Sequence, residues 1–169
     1  MARMPAHVII QVNNELALEG MSMDLIESLA GKDAKRGYRL MLDLEAQSFQ
    51  SDALYCCRED FVDLTRHSSS FVRVRGFRLA MAQVEWDEQG KIASRFAELA
   101  AVLHDQKPTV VRQSLSALRR VVQIRPQFAP LVRAELEKVD VSNYASSMAP
   151  LIAQDVAALR DRLEKLPVD

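Results

Sequence analysis

The stretch that decides the fold is Phe71-Val-Arg-Val-Arg-Gly-Phe-Arg-Leu-Ala-Met-Ala-Gln-Val84, because two further copies of it occur in the chain. A close copy precedes it at Asp33-Ala-Lys-Arg-Gly-Tyr-Arg-Leu-Met-Leu-Asp-Leu44, and a looser one follows at Thr109-Val-Val-Arg-Gln-Ser-Leu-Ser-Ala-Leu-Arg-Arg-Val-Val122. Self-similarity with a period of about 40 residues is typical of stacked helix pairs. The sequence therefore predicts an all-α solenoid of about three helix pairs plus terminal helices.

Apolar side chains recur every three or four residues through these copies and between them, as in the buried stripe of an amphipathic helix. Leu54, Cys57, Phe61 and Leu64 are one such set. After residue 20 we find no strand-like alternation. Helices are predicted at approximately 22–30, 33–47, 52–67, 91–104 and 127–139. Two more follow the apolar stripes from Val74 to Val84 and from Val111 to Val122, and a last one has Pro150 near its start and runs to about Leu166.

Several helix ends are marked by residues that suit them. Ser22 and the cluster Ser68-Ser-Ser70 are suited to N-caps. Gly31 stands where a left-handed C-cap is preferred, and Pro108 suits a first helical turn. The stretch Trp86-Asp-Glu-Gln-Gly90 predicts the turn between the two helices of the second pair.

Size and composition are those of one ordinary globular domain: 169 residues, 49% apolar and 27% charged. We assign residues 21–169 to a single helical-repeat domain, and residues 1–20 to an N-terminal appendage without an assigned structure. No apolar run approaches the length of a membrane span, and no signal peptide is recognised. A net charge of −1 adds no overall attraction to nucleic acid or membranes. We expect a cytoplasmic protein that does not bind a membrane.

The two cysteines, Cys56 and Cys57, are neighbours in the chain. Adjacent residues on a helix diverge by about 100°, which disfavours a disulfide between them. No second pair of cysteines completes a metal site. We therefore interpret both as reduced thiols, with at least one packed in the core, and expect no cofactor.

Three segments together resemble a group of short bacterial HEAT-like repeat proteins: Phe71-Val-Arg-Val-Arg-Gly-Phe-Arg-Leu79, Lys107-Pro-Thr-Val-Val-Arg112 and Asn143-Tyr-Ala-Ser-Ser-Met-Ala-Pro-Leu-Ile-Ala-Gln-Asp155. The HEAT consensus is matched best where Val111-Arg112 is followed by Ala117-Leu118. The resemblance covers about residues 21–165. It implies a helical solenoid that binds other proteins on an extended, curved surface. Some members of the group bear an iron–sulfur assembly label, which two adjacent cysteines do not support.

Arginines are the first candidate binding residues. Between Phe71 and Arg125 the chain has ten Lys or Arg and five acids, a local charge of +5. Stacked repeats would align such arginines in a column, which could face a phosphate-bearing ligand. The interpretation we favour is an internal ladder, in which they pair with acids or carbonyls between repeats. The candidate binding residues are Arg36, Arg39, Arg75, Arg78 and Arg112, with Arg58, Arg95, Glu59, Glu98 and Arg133 on the second helices.

Gly37 and Gly76 occupy the same repeat position inside predicted helices, where glycine costs about 1 kcal/mol relative to alanine. Close approach of a neighbouring helix is the favoured cause, and close approach of a ligand is the alternative.

Trp86-Asp87 offers a weaker functional signal, since some HEAT-like DNA glycosylases use aromatic residues with an aspartate. A hydrophobic plug at the repeat edge is the interpretation we favour for Trp86. His67 and His104 also share a repeat position, at the ends of second helices, where a cation suits the helix dipole.

No phosphate-binding loop, nucleophile elbow or paired-carboxylate motif is present in the sequence. The leading hypothesis is therefore a non-enzymatic solenoid that acts as a scaffold or adaptor for another protein. The alternative is a nucleic-acid-binding HEAT-like protein related to DNA alkylation repair. Self-association through a terminal repeat is a third hypothesis, and the oligomeric state is left open.

Overall fold

The computed structural model describes residues 23–166, and helices are the regular secondary structure throughout that range. The all-α prediction is confirmed there. The predicted appendage at 1–20 and the predicted cap at Ser22 lie outside the described residues. The α-helices are α1 Met23–Ala30, α2 Ala34–Ser48, α3 Arg58–Leu64, α4 Ser70–Ala82, α5 Phe96–Leu99, α6 Pro108–Ile124, α7 Ala129–Leu136 and α8 Ala149–Glu164.

The helices form two layers around α4. In the first layer α2, α4, α6 and α8 lie side by side in chain order, with α1 against α2. In the second layer α3 packs against α4, and α7 contacts α5, α6 and α8. Buried apolar side chains form one continuous cluster from Leu29 to Leu163. Among the described helices, none has the length and apolar character that crossing a membrane requires.

The central helix α4 is buried on almost every side, which its sequence reflects. Apolar or small residues surround its axis instead of following one stripe, as in a helix enclosed by others. Phe77, Leu79 and Ala80 have no exposed surface. The position of α4 between α2, α3 and α6 accounts for this pattern.

The predicted second helices exist, but each is shorter than expected and is combined with 3-10 turns. A 3-10 segment at Asp52–Cys57 precedes α3, segments at Ala93–Arg95 and Ala100–His104 flank α5, and one at Pro126–Phe128 precedes α7. Apolar residues three apart suit a 3-10 turn as well as an α-helix. The spacing of apolar residues therefore predicted which side chains are buried. It did not show that part of each segment is a 3-10 turn instead of an α-helix.

The two turn glycines behave differently from each other. Gly90 has a φ of 66°, which fits the predicted turn after Trp86. Gly31 has no positive φ, so its predicted left-handed C-cap is wrong, although α1 does end just before it. A Cβ at Gly31 would lie 2.7 Å from the Glu27 carbonyl oxygen. Close contact with the preceding turn, and not backbone handedness, explains this glycine.

The helix glycines make room for close contacts, as predicted. A Cβ on Gly76 would lie 2.6 Å from both the Leu64 Cβ and the Phe61 carbonyl oxygen, so α3 and α4 are in direct backbone contact there. A Cβ on Gly37 would lie 2.6 Å from Nη1 of Arg75. At Gly37 the close neighbour is thus a buried guanidinium as well as the Ser28 carbonyl oxygen, 3.0 Å away.

Substituting Gly76 by alanine tests this close contact through the sign of its effect. Helix propensity alone predicts stabilisation by about 1 kcal/mol. Because α3 leaves no space for the methyl group, we expect Gly76→Ala to lower the free energy of unfolding by about 1–3 kcal/mol. Urea unfolding followed by circular dichroism measures the change. Ala46→Gly, at an exposed position of α2, is the control for propensity. A stabilised Gly76→Ala variant would contradict the packing explanation.

Candidate functional site

Arg75 is a buried structural residue, with 4% of its surface exposed. It donates hydrogen bonds to the carbonyl oxygens of Leu29, at 2.6 Å, and Ala34, at 2.8 Å. These oxygens lie at the end of α1 and the start of α2, so the side chain links both helices to α4. Burial lowers the pKa of its guanidinium. Arg75 fits the internal ladder and cannot face a ligand in this fold.

Arg78 is held between two neighbouring helices of the first layer. Its guanidinium binds both carboxylate oxygens of Glu45 on α2, at 3.0 and 2.5 Å, and donates to Gln113 on α6 at 3.1 Å. Bidentate pairs of this kind are among the stronger polar contacts in proteins. The bonds to Glu45 outweigh burial and raise the pKa of Arg78.

The predicted column of arginines is therefore not one surface. Arg112 on α6 binds Asp155 on α8 at 2.6 Å. Arg36 and Arg39 are exposed and have no ion pair with side chains of residues 23–166. Equivalent positions of the sequence copies thus have different surroundings, because α2 is flanked by the short helix α1 where α4 is flanked by α2.

The candidate residues of the second layer form a network of alternating charge. Arg95 binds both Glu98, at 3.1 Å, and Glu59. Arg66 binds Glu98, and Arg58 lies 3.6 Å from Glu59. These pairs connect α3 to the α5 region. The sequence analysis named all of these residues except Arg66 as partner contacts, and the structure pairs them with one another.

Arg133, also on the second layer, donates to the Leu163 carbonyl oxygen at 2.6 Å. It thereby joins α7 to the end of α8, and its guanidinium satisfies a helix-end carbonyl.

A cleft of about 210 Å³ lies on the outer face of α2, α4 and α6. Arg120 covers one side of it, with its guanidinium 3.6 Å from the centre of the Phe49 ring and 3.5 Å from Glu85. Apart from Met81, the remaining wall consists of small or polar side chains, and the volume can hold a side chain from outside. The cleft is lined by Glu45, Phe49, Arg78, Met81, Ala82, Gln113, Ser116, Ala117 and Arg120.

Sequence reasoning identified Arg78 and missed the other lining residues of this cleft. Phe49 follows the end of α2, whereas Gln113 and Arg120 both lie on α6, and no motif connects the two helices. The sequence indicated this cleft only through α2, where Tyr38, Leu42, Glu45 and Phe49 follow helical spacing along one side.

Three large apolar side chains of α2 and α4 are exposed. Tyr38 and Leu42 of α2 are 44% and 39% exposed, and Phe71 at the start of α4 is 51% exposed. Lys35 and Arg39 lie one helical turn from Tyr38 or Leu42 and are also exposed.

Trp86 and Asp87 are both occupied by internal bonds. The Trp86 indole donates to the Ser48 carbonyl oxygen at 2.7 Å, which agrees with a plug at the edge of α2. Asp87 is buried and accepts hydrogen bonds from the Tyr55 hydroxyl and from the backbone N–H groups of Ile92 and Ala93. The indole N–H and the Asp87 carboxylate are thus both engaged within the chain.

His67 accepts a hydrogen bond at Nδ1 from the Ser69 N–H, at 3.0 Å. Its imidazole thus holds the turn before α4. His104 ends the 3-10 segment Ala100–His104 and is exposed.

A second cleft, more polar, lies near this turn and includes Ser68, Ser70 and His104. Arg73 occupies its floor. The guanidinium binds the buried carboxylate of Asp105 and also the carbonyl oxygens of His67 and Ser68. With its donors used inside the chain, Arg73 has little capacity to bind an anion.

Comparison of the chain with protein-family models, with curated proteins and with solved structures gave no match. The site must therefore be interpreted from its own geometry.

Replacing Arg75 tests the ladder directly, with its repeat counterpart Arg36 as a matched control. Arg75→Met leaves two carbonyl oxygens without their charged donor, so we expect the free energy of unfolding to fall by about 2–3 kcal/mol. Arg36→Met, at an exposed position, should change it by less than about 0.5 kcal/mol. Chemical denaturation measures both. Equal effects would contradict the structural role of Arg75.

Tyr55 makes the free energy of unfolding depend on pH in the alkaline range. Burial, followed by the 2.7 Å bond to Asp87, raises its pKa to about 12. The folded protein therefore holds this proton more tightly than the unfolded chain, whose tyrosine titrates near 10. The resulting stabilisation is complete below pH 10 and is lost as pH rises toward 12. We expect the stability difference between the native protein and Tyr55→Phe to shrink over that range in urea titrations. A constant difference would contradict the assignment.

Proposed function

We propose that the protein is a HEAT-like α-solenoid that acts as a non-enzymatic scaffold or adaptor in the cytoplasm. It binds another protein through the outer face of α2, α4 and α6. The three sequence copies support this architecture, since each overlaps a different helix of the first layer: α2, α4 or α6.

One observation carries the proposal: eight of the ten cations between Phe71 and Arg125 contact acids or carbonyl oxygens of the chain itself. These contacts reduce the ability of the basic segment to follow a phosphate backbone, which requires free Lys or Arg. The eight are Arg73, Arg75, Arg78, Arg95, Arg112, Arg119, Arg120 and Arg125.

The outer face has the composition of a protein-binding surface. Aromatic and apolar anchors beside a pocket supply much of the energy of protein recognition. Leu42 lies one helical turn before Glu45 of the cleft and Tyr38 one turn before Leu42, and both are exposed, as is Phe71 at the start of α4. The adjacent cleft, with Ser116 and Ala117 on its wall, can take a partner side chain.

Nucleic-acid binding is the second candidate, and one observation favours it. Lys32, Lys35, Arg36 and Arg39 are all exposed at or near the start of α2. The link to alkylation repair is weaker, because Trp86 and Asp87 are used internally.

A titration of labelled duplex and single-stranded DNA and RNA by fluorescence anisotropy separates these candidates. Binding through six or more phosphates loses at least ~10³-fold in affinity between about 50 and 200 mM salt. For a protein scaffold we expect no binding tighter than about 10 μM at 50 mM salt, where even non-specific nucleic-acid binders associate. Tight, salt-dependent binding that is abolished by Arg36→Glu with Arg39→Glu, and kept by the control Lys91→Glu, would replace the scaffold by the second candidate.

Photo-crosslinking tests the outer face itself. A benzophenone amino acid at Ser116 or Tyr38 should capture the same protein from the lysate of the native cell. The same residue at Asp161, exposed on α8, is the control. The captured protein, once purified, should bind the native chain and lose at least tenfold in affinity to Ser116→Trp, which fills the cleft. Capture at Asp161 alone would place the interface elsewhere.

A further inference from the structure

The thiols of Cys56 and Cys57 converge despite their adjacent positions in the chain. They end the 3-10 segment Asp52–Cys57, and their Sγ atoms are 3.7 Å apart. Cys56 is partly exposed, whereas Cys57 is 5% exposed and lies just before α3. Both cysteines are free. The structure thus presents two sulfur atoms side by side, one of them accessible from solvent.

Direct oxidation does not suit this pair. Cα atoms of adjacent residues are about 3.8 Å apart, whereas disulfides prefer about 4.4–6.8 Å. The sulfur atoms would also have to approach from 3.7 Å to about 2.05 Å. A bridging atom needs no such movement. An atom bonded to both sulfurs at about 2.3 Å, with an angle of about 100–110°, holds them about 3.5–3.8 Å apart.

The number of ligands decides which bridging atom fits. Among residues 23–166, no group of three or more His, Cys, Asp or Glu side chains is placed to hold a metal ion. The two thiols therefore supply only half of the four ligands that a zinc ion takes in structural sites. A trivalent arsenic atom that already carries one organic substituent is complete with two soft sulfur ligands.

We infer that Cys56 and Cys57 form a chelating site for monosubstituted trivalent arsenicals. Each S–H gives up its proton, each sulfur forms one S–As bond, and the two As–O bonds of the hydrated arsenical break to release two molecules of water. Arsenic stays trivalent, so no oxidant or reductant takes part. This site is independent of the protein-binding face on α2, α4 and α6.

The two thiols have different roles in this capture. Cys56 is the point of entry because it is accessible. Burial raises the pKa of Cys57 to about 12, with Cys56 adding to the shift, so Cys57 stays protonated until the bridging atom arrives. Since the thiolate is the nucleophile toward alkylating reagents, iodoacetamide should modify Cys56 in the folded protein and leave Cys57 unmodified.

The probe is phenylarsine oxide, added to the full-length reduced chain without denaturant. We expect one arsenical per chain by intact mass, with loss of both free thiols. The adduct should persist in excess 2-mercaptoethanol and be removed by 2,3-dimercaptopropanol, because only a dithiol competes with a chelate. Peptide mapping should place it on Cys56 and Cys57.

The matched variants are Cys56→Ser and Cys57→Ala. Each leaves a single thiol, so we expect the apparent affinity for phenylarsine oxide to fall about 100-fold or more. If Cys57→Ala does not fold, Cys56→Ser and the map of the native adduct are sufficient. Unchanged affinity in Cys56→Ser would overturn the site. So would an adduct that forms only after the chain is unfolded in urea.

Discussion

The close approach of α3 to α4 at Gly76 is the contact on which the rest of the structure depends. A Cβ there would meet side-chain and backbone atoms of α3. Because the space is free, α4 can be covered by α3 on one side while α2 and α6 flank it. The burial of α4 then gives the chain its core. A helix in this position requires apolar residues on nearly all faces, which α4 has.

Arg75, the neighbour of Gly76, extends this arrangement to the start of the described chain. Its guanidinium reaches the carbonyl oxygens of Leu29 and Ala34, and Gly37 leaves the space that it occupies. The two glycines at one repeat position are thus connected. Gly76 leaves space for α3, and Gly37 leaves space for the Arg75 side chain that α4 extends toward α1 and α2.

The same preference for helix-end carbonyl oxygens recurs along the chain. Arg125 binds the carbonyl oxygens of Val84 and Glu85 just after α4, and Arg133 binds that of Leu163 at the end of α8. A cation suits these positions because helix ends expose unpaired carbonyls with partial negative charge. Arginine in this protein therefore joins helices as much as it charges the surface. The proposal of a protein partner rests on that distinction.

Individual residues show how far the sequence could predict the structure. The repeat of Arg-Gly-aromatic-Arg-Leu identified α2 and α4, and apolar spacing located every major helix, because both depend on contacts within a few residues. The conformation of Gly31 was predicted wrongly, since a neighbouring carbonyl oxygen and not backbone handedness explains this glycine. The cleft between Phe49 and Arg120 was missed because helices distant in sequence form it.

The sequence by itself determined that the described chain is helical, where its helices lie and which faces are apolar, because helical periodicity is a local property. Only the tertiary structure decided which arginines are buried, which pair with acids and which remain exposed. Arg36 and Arg75 occupy the same repeat position, yet one is exposed and the other buried. The difference comes from the helices packed around each residue, and no local pattern records those neighbours.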